Sequence, residues 1–420
     1  MKVTIFDIEA NGLLDDVTEV VCISYMDMRS LEMVTAHGPG AILKALDVLE
    51  NSAVLIGHNI LAYDIEVLKK LYPWWRGPKG SIKDTLVMAR LAYPDRRHID
   101  VEERDAGNTD LPPNFFGSHS LKAWGYRLGM HKGDYMETLV EDYKKMKYND
   151  SLREYCEQDV RVTESLYAHL HKDAPWMDET DSLQLEHEFA QCIAAQVRNG
   201  FAFDEERAAG LYSHMSQMRD DLVVQLQAEV PPTIIELKTK TKSIPFNPGS
   251  RKQIGEYLQS QGWVPEVFTE TGQPKVDESV LDKIDHPVAA KLSQYLMLQK
   301  RIGMLAEGTE AWMKVARDSS NGSRVYGSVN HNGAVTGRCT HRSPNMAQVP
   351  AVYSPFGKEC RSLFIAPPGR VLVRGDAAGL ELRCLGHYMA MYDNGQFVHT
   401  LLNGDLLTYN QDCAALPIRD

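Results

Sequence analysis

Two carboxylates stand two residues apart near the start of the chain, at Asp7 and Glu9 in KVTIFDIEANG. The run that carries them is rich in β-branched residues and predicts a strand, along which side chains at alternate positions share one face. Two acids in apolar surroundings are unfavourable unless a cation neutralises them, and Mg²⁺ or Mn²⁺ prefers such oxygen ligands. A pair of acids at a strand end is also common as a solvated edge, so the pair alone does not decide the matter.

Two further acids and a tyrosine follow at positions that could join this pair. Asp64 in IGHNILAYDIEVL opens a predicted helix, where it is either a favourable helix charge or a metal ligand. Asp159 in REYCEQDVRV lies four residues after Tyr155, so one helix face carries both side chains. The tyrosine alone is also compatible with an ordinary half-buried position.

A second polar cluster lies in VTGRCTHRSPNMAQVP, where Arg338, Arg342, Asn345 and Gln348 occur in a segment interrupted by glycine and proline. Arginine pairs with phosphates, and Asn or Gln donates to minor-groove acceptors present on every base pair. A hydrogen-bonded surface loop is the alternative. Asp376 follows in RVLVRGDAAG, which predicts a buried strand leading into the amphipathic helix LELRCLGHYMAMY.

Three lysines, Lys238, Lys240 and Lys242, occupy alternate positions in IIELKTKTKSIP. In an extended conformation their ammonium groups line one side and can follow a DNA backbone. A solvated loop is an equal alternative. The position of this segment between two long helical patterns resembles the tip of a polymerase thumb, and that resemblance implies DNA contact.

The elements that must position these residues change character along the chain. Up to about residue 172, short β-branched runs alternate with helical patterns, which predicts an α/β domain. A short acidic, proline-containing segment at 173–180 marks a boundary, and a mostly helical stretch extends to about 315. β-like and loop patterns return from Val325 onward.

The composition bounds the possibilities. At 420 residues, 43% hydrophobic and 24% charged, the chain can form two or three cores. Seven scattered cysteines without a CxxC pair suggest neither disulfides nor a zinc knuckle, and the sequence has no signal peptide or apolar span, so a cytoplasmic protein is predicted. A net charge of −12 argues against a nucleic-acid partner unless positive charge is concentrated locally.

Taken together, DIEANGL, GHN followed by Asp64, and YCEQD resemble the three motifs of the DEDD exonuclease superfamily, in its tyrosine-marked subclass. The resemblance covers about residues 1–175. It implies that Asp7, Glu9 and Asp159 hold one metal ion, that Asp7 with Asp64 nearby holds a second, and that Tyr155 orients the attacking water. Two Mg²⁺ or Mn²⁺ ions stabilise charge on both the entering and the leaving oxygen.

No histidine is required as a base at such a site, because a metal-bound water is acidic enough to ionise near neutral pH. We therefore interpret His58 and His119 as structural or substrate-side groups.

The second cluster, TGRCTHRSPNMAQVP with VLVRGDAAGLELR, resembles family A DNA polymerases, and GSVNHNGAVTGR and YLMLQKRIG resemble the replicative enzymes of short-tailed lytic phages. This resemblance implies that Asp376 binds a polymerase metal with the carbonyl of Ala377, and that Glu381 lies by the sugar of the incoming nucleotide. It also implies primer-template contacts from Arg338, Asn345 and Gln348, and a nucleotide contact from Arg419 at the start of the fingers helix.

The sequence departs from the family pattern in ways that affect function. It ends at Asp420, before the rest of the fingers helix and the second palm carboxylate, and Leu407 stands where the family commonly has a histidine. We therefore expect a proofreading exonuclease joined to a partial polymerase that a second polypeptide completes. A stand-alone exonuclease with a non-catalytic DNA-binding arm, or a truncated polymerase fragment, is the alternative. A thioredoxin-type processivity factor is not implied.

The predicted architecture is an α/β RNase H-like exonuclease domain, with a mixed sheet and flanking helices, followed by a mostly helical thumb and an incomplete α+β palm. The predicted boundaries are 1–175 for the exonuclease, 181–315 for the connector and thumb, 316–400 for the partial palm and 401–420 for the start of the fingers. The expected partners are primer-template DNA and single-stranded 3′ ends.

Overall fold

A computed structural model describes residues 2–130, 143–178, 180–237, 240–319, 322–404, 411 and 414. The chain forms two compact units, Met1–Ile365 and Ala366–Asp420. Within the described ranges, no helix is both long enough and apolar enough to cross a membrane.

A five-stranded mixed sheet forms the centre of the N-terminal part. Its strands are β1 Val3–Ala10, β2 Val20–Asp27, β3 Met33–His37, β4 Val54–Gly57 and β5 Ser81–Asp84. They lie in the order β3-β2-β1-β4-β5. Strand β2 is antiparallel to both β1 and β3, and β4 is parallel to both β1 and β5. The predicted strands in KVTIFDIE, EVVCISYMD and AVLIG are confirmed.

Six helices within the described residues pack against the two faces of this sheet or against one another beside it. They are α1 Pro39–Glu50, α2 Asp64–Leu71, α3 Thr85–Ala92, α4 Arg96–Asp105, α5 Leu121–Arg127 and α6 Asp150–Asp173. Phe6 and Ile8 of β1 pack in one core with residues of α1 and α2. Ile5, on the opposite face, packs against Val160 of α6. The alternation of β1 therefore turns the face that carries Asp7 and Glu9 toward α6.

The remainder of the first unit is mostly helical, as the pattern from 181 to 315 predicts. Its helices are α7 Ser182–Asn199, α8 Glu205–Glu229, α9 Arg251–Ser260, α10 Glu278–Leu281, α11 Pro287–Ile302, α12 Trp312–Val315 and α13 Gly357–Ser362. Helices α8 and α11 pack together, and Leu222, Leu226 and Leu292 lie in one buried cluster there.

Short strands connect these helices. They are β6 Phe201–Ala202, β7 Thr233–Leu237, β8 Lys240–Ile244, β9 Arg317–Ser319, β10 Gly322–Val325, β11 Ser328–Asn330 and β12 Thr340–Arg342. Strands β7 and β8 form an antiparallel hairpin, so the predicted extended conformation around the lysines is confirmed for Lys240 and Lys242. Lys238 lies outside the described residues.

In the second unit, α14 Leu380–Asp393 and α15 Gln396–Asn403 pack against each other. The predicted helix over LELRCLGHYMAMY is confirmed. The predicted buried strand over RVLVRGDAAG is wrong, because residues 371–377 form no strand and Val371, Leu372 and Val373 are 81%, 70% and 91% exposed. The described part of this unit contains no neighbouring strand with which they could pair, and a strand needs such a partner. Leu407 and Arg419 lie outside the described residues.

Candidate metal centre and nucleic-acid groove

The acid pair of β1 lies on the side of the sheet that α6 covers. Asp7 pairs in register with Ser24, and Glu9 pairs with Cys22, both on β2. Cys22 packs in a small cluster with Leu152 and Cys156 of α6. Glu9 is 7% exposed, whereas Asp7 is half-buried and accessible to solvent. The predicted pair is therefore enclosed between strand and helix, not displayed on an open edge.

Asp64 reaches β1 along the edge of the strand that pairs with β4. Strand β4 pairs with β1 only up to Ile5, and the amide of Ile8 beyond it donates a hydrogen bond to Asp64 Oδ1 at 3.3 Å. Asp64 is 5% exposed and lies in the first turn of α2, where an acid also complements the helix dipole. A Cβ on Gly57 would collide with Ile60 and lie 3.0 Å from the Phe6 carbonyl, so the turn that brings Asp64 to β1 requires glycine there.

A buried aspartate missed in the sequence, Asp84, holds this turn in place. Its carboxylate accepts hydrogen bonds from the backbone amides of Asn59 at 2.8 Å, Leu61 at 3.1 Å and Leu86 at 2.9 Å. Its own amide donates to His187 Nε2 at 2.7 Å. Burial raises the pKa of Asp84, which is 1% exposed. The only signal in the sequence is an aspartate directly before a helical pattern, which is typical of an ordinary N-cap.

Helix α6 contributes the remaining residues. Asp159 is 4% exposed, and Tyr155, one turn earlier, is half-buried. Cys156, also missed in the sequence, is fully buried, with its Sγ 3.6 Å from both the carbonyl oxygen and Oδ2 of Asp7. Potential ligand atoms of Asp7, Glu9 and Cys156 all lie within 4.8 Å of one another. Burial, the Cys22 thiol and the charges of Asp7 and Glu9 raise the pKa of the Cys156 thiol well above its usual value.

The electrostatics of these acids fit a bound cation. Burial, followed by the charges of Asp84 and Asp159, raises the pKa of Asp64 to about 7, although hydrogen bonds from backbone amides oppose the shift. A carboxylate with such a pKa is unfavourable in its charged form, and a divalent cation would reverse that preference. The donor set is rich in carboxylate oxygens, which suits Mg²⁺ or Mn²⁺.

A groove of about 1000 Å³ adjoins the loop that precedes Asp64. One wall contains residues 58–62, and another contains the β11–β12 hairpin. Five arginines and only two aspartates are the charged residues of its lining, in a chain whose net charge is −12. The arginines are Arg90, Arg96, Arg97, Arg198 and Arg342. Arg96 and Arg198 are ion-paired with neighbouring acids. Arg90, Arg97 and Arg342 are therefore the arginines of this lining that could meet an anionic strand.

Polar groups in the groove are oriented but only partly satisfied. The guanidinium of Arg90 lies 3.4 Å from His331 Nδ1 and donates to Asn330 Oδ1 at 3.3 Å. Burial and then the charge of Arg90 lower the pKa of His331 to about 4. Among the described residues, neither His331 Nε2 nor Asn332 Nδ2 has a hydrogen-bond partner, although both atoms are buried. The sequence did not identify Arg90 or His331, because the groove joins segments about 240 residues apart.

The two histidines considered in the sequence differ in their surroundings. His58 also lines the groove, and its Nδ1 lies 2.9 Å from the Thr85 hydroxyl. His119 lines the groove, and burial, followed by the charges of Arg127 and Arg90, lowers its pKa to about 3. A structural or substrate-side position remains the interpretation of both.

The residues predicted to contact DNA are dispersed. Arg342 lies in the groove, Arg338 and Gln348 are exposed, and the Asn345 side chain accepts a hydrogen bond from the amide of Ala347 at 3.1 Å. Lys242 is exposed on β8.

The polymerase-like residues of the second unit have a different setting. The side chain of Asp376 is 79% exposed, and its Oδ2 lies 3.5 Å from a nitrogen of the Arg374 guanidinium. Ala377 is exposed, and Glu381 lies in the first turn of α14. In the described part of this unit, no second acid is held against Asp376 in the way that Asp7, Glu9 and Asp64 converge on β1.

Comparisons with known proteins match two separate parts of the chain to two families. The family model of DNA polymerase family A matches residues 216–411, and that of the RNase H superfamily matches residues 4–171. Both families use divalent metal ions. The chain is 34% identical to the DNA-directed DNA polymerases of Enterobacteria phage T3 and Escherichia phage T7, in each case over 99% of this chain and 73% of the phage protein.

A solved structure shares the fold. The polymerase domain of Pol1 from M. smegmatis, in complex with DNA primer-template and dNTP, superposes with a TM-score of 0.66 at 16% sequence identity. The match covers 99% of this chain and 64% of the solved chain. From the extent of the identity to the phage enzymes and the two family matches, the chain belongs to DNA polymerase family A and carries an RNase H-like exonuclease domain at its N-terminal end.

Proposed function

We propose that residues 1–175 form a metal-dependent 3′ to 5′ exonuclease that proofreads DNA. The observation that carries this proposal is the convergence of acids from three separate elements, with Asp7 and Glu9 on β1, Asp64 on α2 and Asp159 on α6. Buried acids in such proximity are unfavourable in their charged forms unless a cation neutralises them.

In the proposed enzyme, Asp7, Glu9 and Asp159 would hold one divalent cation, Mg²⁺ or Mn²⁺, and Asp7, with Asp64 nearby, would hold a second. When bound, the ions supply an acidic water and neutralise charge on the entering and leaving oxygens.

The other residues of the chain bind and position. Tyr155 holds the attacking water in line with the scissile phosphate. Asp84 fixes the loop that carries Asp64 through its three backbone hydrogen bonds. The groove arginines bind phosphates of the single-stranded 3′ end, and His331 and Asn332 offer unsatisfied polar groups to the same strand.

The remainder of the chain forms part of a DNA polymerase, with a connector and thumb over 181–315, a partial palm over 316–400 and the start of the fingers over 401–420. Asp376 and the carbonyl of Ala377 bind a polymerase metal, and Glu381 lies beside the sugar of the nucleotide. The proposed primer-template contacts are Arg338, Asn345, Gln348, Lys238, Lys240 and Lys242, and Arg419 is the proposed nucleotide contact.

We propose that a second polypeptide pairs with the exposed segment around Asp376 and contributes to the polymerase site. The apolar side chains of Val371, Leu372 and Val373 are exposed, and an apolar segment of this kind needs a neighbouring strand to cover it. Primer extension that appears only when a second polypeptide with palm and fingers segments is added would support this proposal. A stand-alone exonuclease with a DNA-binding arm predicts that no such addition restores extension.

The exonuclease is tested with 5′-labelled single-stranded DNA, Mg²⁺ and the full chain. Asp159→Asn should abolish stepwise shortening from the 3′ end. Asp150→Asn is a matched control, because Asp150 lies in the first turn of the same helix with its side chain 88% exposed. Equal shortening by Asp159→Asn and by the wild type would contradict the proposal.

A further inference from the structure

The thiol of Cys156 is a potential metal donor of a different chemical kind from the acids beside it. It projects from α6 onto β1, with its sulfur 3.6 Å from Asp7 Oδ2, and it is fully buried. Asp7, Glu9 and Cys156 form the one group of three or more His, Cys, Asp or Glu side chains within the described residues whose ligand atoms are close enough to share an ion. The resemblance to DEDD exonucleases assigns no role to this position.

The distance between sulfur and oxygen matches a common coordination geometry. A tetrahedral zinc ion with ligands at about 2.3 Å for sulfur and about 2.1 Å for oxygen separates the two atoms by roughly 3.6 Å. The sulfur of Cys156 and Oδ2 of Asp7 stand 3.6 Å apart, and the Glu9 carboxylate completes the triangle within 4.8 Å. Asp7 is half-buried, so this donor of the three faces solvent, whereas Glu9 and Cys156 are buried.

We propose that Cys156 makes the Asp7–Glu9 centre a site for thiophilic divalent cations, with a thiolate, two carboxylates and solvent as ligands. Thiolate prefers zinc, cobalt or cadmium, whereas Mg²⁺ is a hard cation that binds through oxygen. On binding such an ion, the thiol releases its proton to solvent as the metal–sulfur bond forms. This inference rests on the proposed exonuclease centre and extends it to a second class of metal.

The consequence is competition at one site. A thiophilic cation held by sulfur occupies the position that the exonuclease needs for Mg²⁺, so these ions should bind more tightly than the two carboxylates alone would allow. Loss of an outer-shell partner typically weakens metal affinity about 10–100-fold, and loss of a direct ligand should weaken it by at least as much. We expect Cys156→Ser to weaken Co²⁺ binding at least about tenfold and to affect Mg²⁺ binding much less.

The test is a titration of the full chain with Co²⁺ alone, followed by near-ultraviolet absorption and by calorimetry. A sulfur-to-cobalt charge-transfer band should appear in the wild type and be absent from Cys156→Ser. Cys360→Ser is the matched control, because Cys360 is a buried cysteine in a different cluster, outside the donor triangle, and it should retain the band. Circular dichroism of each variant establishes that it is folded.

Each outcome decides the matter. A band that persists in Cys156→Ser, or no band in the wild type, would overturn the proposal. An equal loss of Co²⁺ and Mg²⁺ affinity in Cys156→Ser would also overturn the proposal. That result is expected if the thiol only donates a hydrogen bond to Asp7 and does not bind the metal. The exonuclease proposal fails separately, because a chain could show the cysteine-dependent band and still leave DNA intact.

Discussion

The acid site of the RNase H-like domain and the segment around Asp376 contain the same type of side chain in opposite settings. Glu9, Asp64 and Asp159 are 7%, 5% and 4% exposed, and strands and helices fix them before any ion binds. Asp376 is 79% exposed and lies in a segment without secondary structure. This chain holds the acids of the first region in place, whereas the segment around Asp376 needs additional protein surface to hold its carboxylate in place.

The largest difference between the two regions should appear in nuclease activity. Asp64→Asn removes a charge that helps to hold a cation, and such a cation stabilises the transition state by several kcal/mol. We therefore expect the rate of 3′-end shortening to fall at least about 100-fold. Asp376→Asn should leave that rate within about twofold, since activity is proposed to depend on the first region alone. Single-turnover degradation of labelled DNA measures the rate for both variants. Similar decreases in rate for the two variants would contradict the proposed difference between the two regions.

A second expected effect concerns stability. Asp84→Ala leaves one buried and two partly buried backbone hydrogen-bond donors without their acceptor, and we expect it to lower the free energy of unfolding by about 2–3 kcal/mol. Asp95→Ala is a suitable control, because Asp95 is exposed and its side chain makes no capping hydrogen bond to α4. Chemical denaturation measures the difference. If both variants were equally stable, Asp84 would not be the support of the loop.

The groove should account for most of the affinity for single-stranded DNA. Arg90→Ala removes one cation and frees His331, and we expect about tenfold weaker binding with a salt slope that falls by about 1. Lys79→Ala is the control, because Lys79 pairs with Glu50 and is absent from the groove lining. Fluorescence anisotropy at several salt concentrations measures the DNA affinity and the salt slope of both variants. An unchanged slope for Arg90→Ala would place the DNA elsewhere.

The smallest expected effect is the pH dependence of the metal-free protein. The pKa of Asp64 is about 7 in the folded state and near 4 in the unfolded state, chiefly because of burial. Its contribution to stability is therefore fully present below about pH 4 and is lost as the pH rises through 7. With a chelator present, the wild type should lose more thermal stability between pH 5 and pH 8 than Asp64→Asn does. Equal losses would show that Asp64 is not the responsible group.

The placement of the predicted acids follows from local geometry. Strand periodicity places Asp7 and Glu9 on one face, and helical spacing places Tyr155 beside Asp159, so local geometry determines most of the arrangement. Resemblance to the exonuclease motifs joined the separate pieces.

Long-range packing explains what the sequence did not show. Asp84 reads as an ordinary helix cap, and only the folded loop brings the amides of Asn59 and Leu61 to it. Cys156 looks like a core residue until α6 is docked on β1. The strand predicted around Asp376 did not form, because β structure depends on pairing partners that local sequence cannot provide.

The comparison between the two regions is tested most directly by calorimetric titration of the full chain with Mn²⁺. The Asp7→Ala, Glu9→Ala double variant should lose the tightest binding event of the wild type, and Asp376→Asn should retain it, because only the first region holds its acids in place. Retention of that event by the double variant, or its loss in Asp376→Asn, would contradict the assignment of the metal centre to the buried acids.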